Sequence, residues 1–353
     1  MDTESTPDTL VVGETLVDMH PDGPGSLADV ETFHRRPGGA PANVAVGLAR
    51  LGSPPALWTR VGEDGLGDFL AETLRAEGIP DDLFQRDPTA PTGLAMVSLD
   101  ADADRGFVLY LDGTASTRLQ PGAVSDERLA ATAWLHVGGV ELAHDPARQA
   151  VLDLLDRVPA ETTVSFDPNA RPQLWTTYDY AETLQRVLPS VDVLVASVED
   201  LEPAGFPSDP EAVAREILAD ADGDDGSRAA STDGDGSHTA STDGDGSHVA
   251  SDKRGGPHTV LVTRGSAGAL ARATAAAPWG PATTAHGGFT VEPVDTTGAG
   301  DAFTAGAITA LGEGQSLSAA VTFANAVAAE STTARGAMAA LPRRTAVTSL
   351  LAE

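Results

Sequence analysis

Short apolar runs alternate with amphipathic segments along most of this chain. The segments between the runs, such as Gly65–Glu77 and Pro146–Arg157, repeat their apolar residues at helical spacing. Strands that alternate with helices form a largely parallel sheet covered on both faces, so the pattern predicts an α/β fold. The runs that predict buried strands are Thr9–Gly13, Ala56–Val61, Trp134–Val137, Thr163–Phe166, Asp192–Ala196 and Thr259–Thr263.

Two regions interrupt this alternation. Leu16–Arg36 and Thr92–Leu111 contain strand-like stretches with no helical segment between them. Apolar residues at alternate positions in the second region favour a small antiparallel sheet; they are Val97, Leu99, Phe107 and Leu109. The pattern alone is also consistent with a peripheral hairpin.

Residues 220–256 differ in composition from the rest of the chain. Residues 230–239 and 240–249 are two copies of a polar, ten-residue repeat, which cannot bury a core. We predict a disordered insertion between a helix at 210–219 and the strand at 259–263. The Asp-Gly-Asp-Gly runs suggest calcium, but the loop spacing and the distal glutamate of a calcium loop are missing.

The overall charge narrows the choice of partners. The chain has 353 residues, which we expect to form one domain, and a net charge of −30. An acidic surface argues against nucleic acid or an anionic membrane as a partner. Because the acidity is spread over the chain, we hypothesise a halophilic protein from a high-salt cytoplasm, where screening weakens self-repulsion. This hypothesis predicts a loss of structure or activity when molar salt is removed.

Several kinds of chemistry are excluded by missing residues. The chain has no cysteine and only one lysine, Lys253, so disulfides, thiolate nucleophiles and the Gly-Lys of a P-loop are absent. The glycine fingerprint of a dinucleotide-binding dehydrogenase does not follow Thr9–Gly13. If phosphate is handled here, backbone amides, arginine and a metal ion must bind it.

The sequence has no feature that predicts export or membrane insertion. Its first residues lack the basic and apolar parts of a signal peptide. No apolar run reaches the roughly 18 residues that a membrane span needs. We therefore expect a cytoplasmic location.

The most informative segment is residues 295–301, Asp-Thr-Thr-Gly-Ala-Gly-Asp, which leads directly into the apolar helical segment 302–311. Gly298 and Gly300 leave backbone N–H groups able to face an anion, and the helix adds the positive end of its dipole. Asp301 lies at the edge of this anion site. An aspartate there suits proton removal from a hydroxyl that attacks a bound phosphate. The alternative is an ordinary helix start.

A second glycine-rich segment, residues 38–52, also precedes a helix. Its apolar positions Val44, Leu48 and Leu51 give that helix one buried face. The pair Gly38-Gly39 allows a ligand to approach the backbone closely. Asn43 can both donate and accept hydrogen bonds, which suits a polyhydroxylated ligand, although simple capping is the alternative.

These two segments resemble the two signatures of the PfkB (ribokinase-like) carbohydrate kinase family. Further landmarks follow in the family's order at residues 13–18, 166–171 and 262–265, so the resemblance covers the chain except the insertion. It implies a ribokinase-like fold, with a three-layer αβα core and a small β-sheet lid from strands at about 14–37 and 91–112. It also implies a kinase that uses ATP and Mg²⁺, and it allows a homodimer through the lid.

The resemblance also assigns roles to residues around the sugar. The catalytic group consists of Asp301 as the base and the amides of Gly298, Ala299 and Gly300 as the anion hole. The sugar-binding residues that it implies are Asp18, Gly38, Gly39, Asn43, Arg105, Tyr110, Asn169 and Arg171. Simpler interpretations stay open: Arg105 as a hairpin-tip charge, Tyr110 as lid core and Arg171 as half of a salt bridge.

For the nucleotide and cations, the resemblance points to the carboxyl-terminal half of the chain. The implied nucleotide-binding residues are Thr263, Gly265, Gly268 and Asn325, although Asn325 is also explained as a buried amide. Where the family often has Asn-x-x-Glu for Mg²⁺, this chain has Ser197 to Asp200, so Asp200 or Glu199 would bind the ion through water. Asp295 and Thr297 match positions near a monovalent cation such as K⁺; a loop-capping aspartate is the alternative.

Among subfamilies, residues 13–18, 38–43 and 166–169 look most like fructokinases, which favours D-fructose as the substrate. Its C1 and C6 hydroxyls are both primary, so a ketohexokinase is a close alternative. Residues 113–116, together with Arg105 and Arg171, favour 2-keto-3-deoxygluconate as the substrate. Pro41 favours fructose instead. A sensor without catalysis on the same fold would tolerate loss of Asp301, which is present.

Overall fold

In the computed structural model of the protein, the described residues are 8–23, 25–99, 105–221 and 255–352. Residues 222–254, which make up most of the predicted insertion, lie outside them. The strands are β1 (Thr9–Val12), β2 (Leu16–Pro21), β3 (Phe33–Gly38), β4 (Ala56–Gly62), β5 (Phe84–Asp87), β6 (Leu94–Leu99), β7 (Arg105–Tyr110), β8 (Trp134–Gly138), β9 (Thr163–Asp167), β10 (Val193–Ser197), β11 (Thr259–Thr263), β12 (Ala269–Ala273) and β13 (Ala282–His286).

The α-helices lie mostly between these strands. They are α1 (Ala40–Arg50), α2 (Gly65–Ala76), α3 (Asp126–Ala130), α4 (Ala147–Arg157), α5 (Tyr180–Val187), α6 (Val198–Leu201), α7 (Pro210–Ala221), α8 (Ala299–Gly312), α9 (Leu317–Ser331) and α10 (Arg344–Leu351). Several of them, including α2, α3, α5, α6 and α9, begin with a side-chain cap. At the start of α2, for example, the Asp64 carboxylate accepts from the N–H groups of Leu66 and Gly67.

A nine-stranded sheet forms the centre of the described structure, in the order β13-β12-β11-β10-β9-β8-β1-β4-β5. Neighbours from β11 through β5 pair in parallel, whereas β12 and β13 are antiparallel. Successive residues of β1 enter different cores: Val11 packs with the helices α1, α8 and α9, and Leu10 and Val12 pack on the α4 side. Helices therefore cover both faces of the sheet, as the sequence pattern predicts.

A four-stranded sheet, in the order β3-β2-β6-β7, lies beside the first one. The predicted antiparallel arrangement is correct for β2 with β3 and for β6 with β7. It is wrong for β2 with β6, which are parallel, so the small sheet is mixed. The physical reason is that α1, β4, α2 and β5 separate these strands along the chain, and such a long crossover lets the second strand return in the same direction.

None of the helices in the described residues is long and apolar enough to cross a membrane.

Candidate active site

A cleft of about 840 Å³ opens where the carboxyl ends of the parallel strands meet the small sheet. Asp167 ends β9, Ser197 ends β10 and Thr263 ends β11, and all three line it. In α/β sheets ligands bind at this edge. The cleft lining brings together these predicted residues: Asp18, Gly39, Asn43, Asn169, Arg171, Glu199, Asp200, Thr263, Asp295, Thr297, Gly298, Ala299, Gly300 and Asp301.

Asp301 lies in the first turn of α8, facing α1 across the cleft. Asn43, 4% exposed, donates a hydrogen bond from Nδ2 to Asp301 Oδ2 over 2.7 Å. Asp301 keeps some exposure towards the cleft, but protein surrounds the rest of its carboxyl group, and this desolvation raises its pKa to about 7. The Asn43 hydrogen bond and the Arg171 charge oppose the rise, whereas the carboxylates of Glu14 and Asp200 add to it. The result is a proton acceptor that titrates near neutral pH.

The turn before α8 has the geometry of an anion site. Gly298 precedes the helix with φ +79°, and a Cβ atom there would lie 2.8 Å from the Cβ of Ala337, so glycine is required. A Cβ on Gly300 would meet nothing within 4 Å, consistent with an open side towards the cleft. The predicted Ala299 donor needs correction, because the Ala299 N–H already donates to the carbonyl oxygen of Thr296 over 3.2 Å. That leaves the Gly298 and Gly300 amides as the better candidates for binding an anion.

The carboxylate of Asp295 holds this turn in place. It is 6% exposed and accepts from the Thr297 N–H over 2.9 Å and from the Gly336 N–H over 2.8 Å. These two hydrogen bonds cap the loop. Loop capping is the alternative to cation binding that the sequence leaves open for Asp295. Both Asp295 and Thr297 still line the cleft.

Asp18 lies in β2 and faces the cleft, as predicted. It is 6% exposed, and burial followed by the nearby Asp301 charge raises its pKa to about 7. The role of the two glycines is different from the prediction. A Cβ on Gly38 would lie 2.3 Å from Asp18 Oδ2, and a Cβ on Gly39 would lie 2.5 Å from the Glu14 carbonyl oxygen. Close packing of protein atoms, rather than ligand approach, therefore requires Gly38, which is outside the cleft lining.

A pair of buried glutamates near the start of α1 is not among the residues predicted from sequence. Glu14 and Glu141 are 4% and 3% exposed. Glu14 Oε1 accepts from the Ala40 N–H at the start of α1 over 3.0 Å, and the two side chains contact each other. The pKa of Glu14 is raised by burial to about 7, and burial together with the Glu14 charge raises the pKa of Glu141 well above its usual value. Such a pair retains a proton between its two carboxyl groups.

Asp167, also missed, lies at the bottom of the cleft with Asn169 and Arg171. Its Oδ1 accepts from the Asn169 N–H over 2.9 Å, in a turn where Asn169 has φ +41°. Burial, then the charges of Asp200 and Asp301, raise the pKa of Asp167 well above its usual value, and Arg171 opposes this. The position of Asp167 at the end of a buried strand was the available sequence signal. Arg171 is the cation that faces these carboxylates.

The segment Ser197–Asp200 starts α6 with a capping box. Asp200 Oδ2 accepts from the backbone N–H and the hydroxyl of Ser197, and Oδ1 accepts from the Ala170 N–H. Three of the roughly four acceptor sites of this carboxylate are therefore occupied, which leaves one for a metal-bound water. Glu199 is exposed at the cleft rim. Among the described residues no three His, Asp or Glu side chains form a metal cage.

The small sheet supplies an apolar wall to the cleft, made of Leu16, Ala95, Phe107, Leu109 and Leu111. The prediction that Tyr110 contacts the sugar is wrong. Side chains alternate along β7, so Tyr110 lies on the outer face, where it is 58% exposed. Arg105 begins β7, and its side chain lies outside the described part of the structure.

Three of the predicted nucleotide residues, Thr263, Gly265 and Gly268, lie at or just after the end of β11, and Asn325 lies in α9. Of the four, only Thr263 lines the cleft. Gly265 begins a short 3₁₀ turn. Gly268 has φ +78°, and its Cα lies so close to the 286–288 segment that a Cβ would be 2.0 Å from the His286 carbonyl oxygen. Asn325 is 5% exposed and donates to the Val321 carbonyl oxygen over 2.7 Å. The structure therefore supports the alternative of a buried, satisfied amide for Asn325.

The chain is also similar to known proteins. The family profile described as pfkB family carbohydrate kinase matches residues 6–254 and 237–344. The chain belongs to this family. A fructokinase from Klebsiella pneumoniae is 33% identical over 340 residues, which cover 94% of this chain and 95% of that protein.

Two solved structures have the same fold as this carbohydrate kinase. A putative ribokinase II from E. coli, in complex with ATP and Mg²⁺, has a TM-score of 0.79 at 25% identity, covering 98% of this chain and 99% of that one. A double-mutant fructokinase from Vibrio cholerae O395, with fructose, ADP and potassium bound, has a TM-score of 0.74 at 28% identity, covering 99% of each chain. The predicted ribokinase-like fold and the enzyme class, a phosphotransferase with an alcohol acceptor, are confirmed.

Proposed function

We propose that this enzyme transfers the γ-phosphate of ATP to a primary hydroxyl of D-fructose. The observation that carries the proposal is the position of Asp301, hydrogen-bonded to Asn43 and directly after the Gly298–Gly300 turn. A proton acceptor and an anion site lie within one helical turn of each other. Fructose as the acceptor is supported by the fructokinase relatives.

In the proposed mechanism, a sugar hydroxyl lies beside Asp301, which takes its proton as the hydroxyl oxygen attacks the γ-phosphorus. Such a base contributes about 10²–10⁴-fold in rate. The Gly298 and Gly300 amides and the amino end of α8 stabilise the charge on the transferred phosphoryl group. When bound, Mg²⁺ would neutralise phosphate charge, and Glu199 and Asp200 are the side chains on the nucleotide side that would hold it through water.

The charges around the sugar end favour a neutral sugar. Asp18 and Asp301 are both carboxyl groups that line this part of the cleft, and both are mostly ionised above pH 7. A substrate carboxylate placed among them would meet like charges in a partly desolvated site. The sugar hydroxyls, in contrast, can donate hydrogen bonds to each carboxylate. This argues for fructose over 2-keto-3-deoxygluconate. Among the described residues, Arg171 is the main cation that could pair with the carboxylate of the latter.

Potassium is part of the proposal as well. Asp295 and Thr297 line the cleft next to the turn that we propose as the phosphate site, and the Vibrio cholerae relative holds potassium together with fructose and ADP. A cation at this turn would stabilise the Gly298–Gly300 conformation electrostatically. We expect turnover to be higher in K⁺ than in an equal concentration of tetramethylammonium, which is too large to be bound by the turn.

A second copy of the chain is the partner that we propose for the outer face of the small sheet. Val108 and Tyr110 expose 44% and 58% of their surface there, and aromatic side chains such as that of Tyr110 are enriched at interfaces. Light scattering should give a dimer that Tyr110→Asp weakens.

We place the enzyme in the cytoplasm, where ATP is available.

The proposed function is tested by a coupled assay with ATP and four acceptors: fructose, ribose, adenosine and 2-keto-3-deoxygluconate. We expect fructose to have the highest kcat/KM, and Asp301→Asn to remove the activity. NMR of the product then distinguishes fructose 1-phosphate from fructose 6-phosphate. A higher kcat/KM for any other acceptor would contradict the choice of fructose.

A further inference from the structure

Arg36 in β3 connects the sugar end of the cleft with the turn that precedes α8. It pairs with Asp18 in the register of β2 and β3 and lies two residues before Gly38, which packs on the Asp18 carboxylate. Its side chain extends to a distant loop: Nη1 donates to the Arg335 carbonyl oxygen over 3.4 Å, and the guanidinium packs on Gly336. A Cβ on Gly336, which has φ +94°, would lie 2.8 Å from that Nη1 atom.

The loop that Arg36 contacts also supports the phosphate-binding turn. The Gly336 N–H donates to Asp295 Oδ2, and the other oxygen of the same carboxylate accepts from the Thr297 N–H. The next residue, Ala337, packs so closely on Gly298 that no side chain fits between them. A shift of the 335–337 segment would therefore move the Asp295 carboxylate and the Gly298 backbone together.

We propose that Arg36 is a positioning residue that couples the sugar-bearing small sheet to the Gly298–Gly300 turn. This inference rests on the proposed function, because it concerns how sugar contacts at Asp18 set the geometry for phosphoryl transfer. Arg36 does not touch the reacting atoms. It acts through Gly336, Ala337 and Asp295.

The geometry of the contact makes it sensitive to small movements. A donor–acceptor distance of 3.4 Å is at the outer limit of a hydrogen bond, so a shift of a few tenths of an ångström strengthens or removes it. The Arg36 Nε atom is buried and has no hydrogen-bond partner among the described residues. A small approach of the β3 strand to the 335–337 segment would satisfy more of the five donors of the guanidinium. A bound sugar that contacts Asp18 and shifts β3 would therefore change how firmly the 335–337 segment holds the Gly298–Gly300 turn.

The neighbouring Arg35 provides a matched control. It belongs to the same strand and carries the same charge, but its side chain lies on the other face of the sheet, with Cζ 4.2 Å from the Phe69 ring centroid. Arg35→Ala therefore removes an arginine from β3 without touching the 335–337 segment. Arg36→Met keeps the aliphatic stem over Gly336 and removes the donors, and Arg36→Lys restores a positive charge.

The first measurement is hydrogen exchange of the peptide covering residues 295–300, in the protein without substrates. We expect Arg36→Ala and Arg36→Met to speed exchange of the hydrogen-bonded amides in this peptide, those of Asp295, Thr297 and Ala299, by about tenfold, because the loop that supports them opens more often. Arg35→Ala should leave it unchanged. Equal exchange in the Arg36 and Arg35 variants would overturn the coupling, whatever the sugar substrate is.

The second measurement is steady-state kinetics with fructose and ATP. For Arg36→Met we expect kcat to fall about tenfold while KM for fructose changes less than about threefold, with partial recovery of kcat in Arg36→Lys. A rise in KM for fructose with unchanged kcat would overturn the inference, since Arg36 would then act only on sugar binding. If the wild-type enzyme does not phosphorylate fructose, the proposed substrate fails, and the exchange experiment still decides the role of Arg36.

Discussion

Asn43 donates a hydrogen bond of 2.7 Å to Asp301 across 258 positions of sequence. The two helices that carry them, α1 and α8, pack against each other in one core. The bond fixes one oxygen of the carboxylate and leaves the other for a substrate hydroxyl. It also stabilises the charged form of Asp301 against the desolvation that raises its pKa. The two signature segments of the chain therefore meet at the cleft, where we propose that they act together.

Replacing the base tests this unit directly. Asp301→Asn keeps the shape of the side chain but cannot accept a proton, so we expect kcat to fall by about 10²–10⁴-fold. Binding of ADP and fructose, measured by calorimetry, should change little. Turnover within a few-fold of wild type would show that another group is the base.

The pH dependence follows from the raised pKa of Asp301, which must be deprotonated to act. For the free enzyme we expect kcat/KM to rise with pH through about 7 and to level off above it. Asn43→Ala removes a donor that stabilises the carboxylate, so the midpoint of the rise should move to higher pH. A midpoint that stays in place or moves down in this variant would contradict the role of Asn43.

The buried carboxyl groups predict how stability depends on pH. The pKa of Asp18 and of Glu14 is about 7 in the folded chain, above the ordinary 3.8 and 4.5. Between these values the folded state binds more protons, so the free energy of unfolding decreases as pH rises from about 4 to about 7. Below about pH 4 the two carboxyl groups contribute their full stabilisation to the folded state, and above about pH 7 that stabilisation is lost.

A substitution in the Glu14–Glu141 pair tests this pH dependence of stability. Glu141→Gln has nearly the same shape and can donate an amide hydrogen to Glu14, so no shared proton is needed. We expect the unfolding free energy of this variant, relative to wild type, to be higher at pH 8 than at pH 5 in urea titrations. A difference that does not change with pH would mean that the pair does not retain its proton.

The sequence specifies local turns more directly than it specifies pairings between distant residues. The turn before α8 and the first turns of α1 depend on neighbouring residues, so their glycines and Asp301 were identifiable. The contacts of Glu14 with Glu141 and of Arg36 with Gly336 depend on the order of strands in the sheets, which no local pattern specifies. The family resemblance nominates Tyr110 without its register, and a shift of one residue along β7 exchanges the two faces of the strand, so only the structure shows that Tyr110 lies on the outer face.

The salt hypothesis is tested by measurement in dilute buffer. With a net charge of −30, self-repulsion of the folded chain is strong at low ionic strength and is screened at high salt. We expect the melting temperature and the activity to increase with KCl up to the molar range. Full activity and an unchanged melting temperature at low salt would contradict the hypothesis.

A pair of glycine substitutions on one helix tests whether the turn before α8 is a built anion site. Gly298 has φ +79° and contacts Ala337, so Gly298→Ala introduces a clash and a left-handed alanine, which costs about 1–2 kcal/mol for the backbone alone. Because the turn must move to accept the methyl group, kcat/KM for ATP should fall together with stability. Gly312 ends the same helix with open space around it, so Gly312→Ala should be neutral or slightly stabilising and fully active. If Gly298→Ala lowered the melting temperature but kept wild-type kcat/KM for ATP, the turn would have a structural role only, and the phosphate would have to bind elsewhere in the cleft.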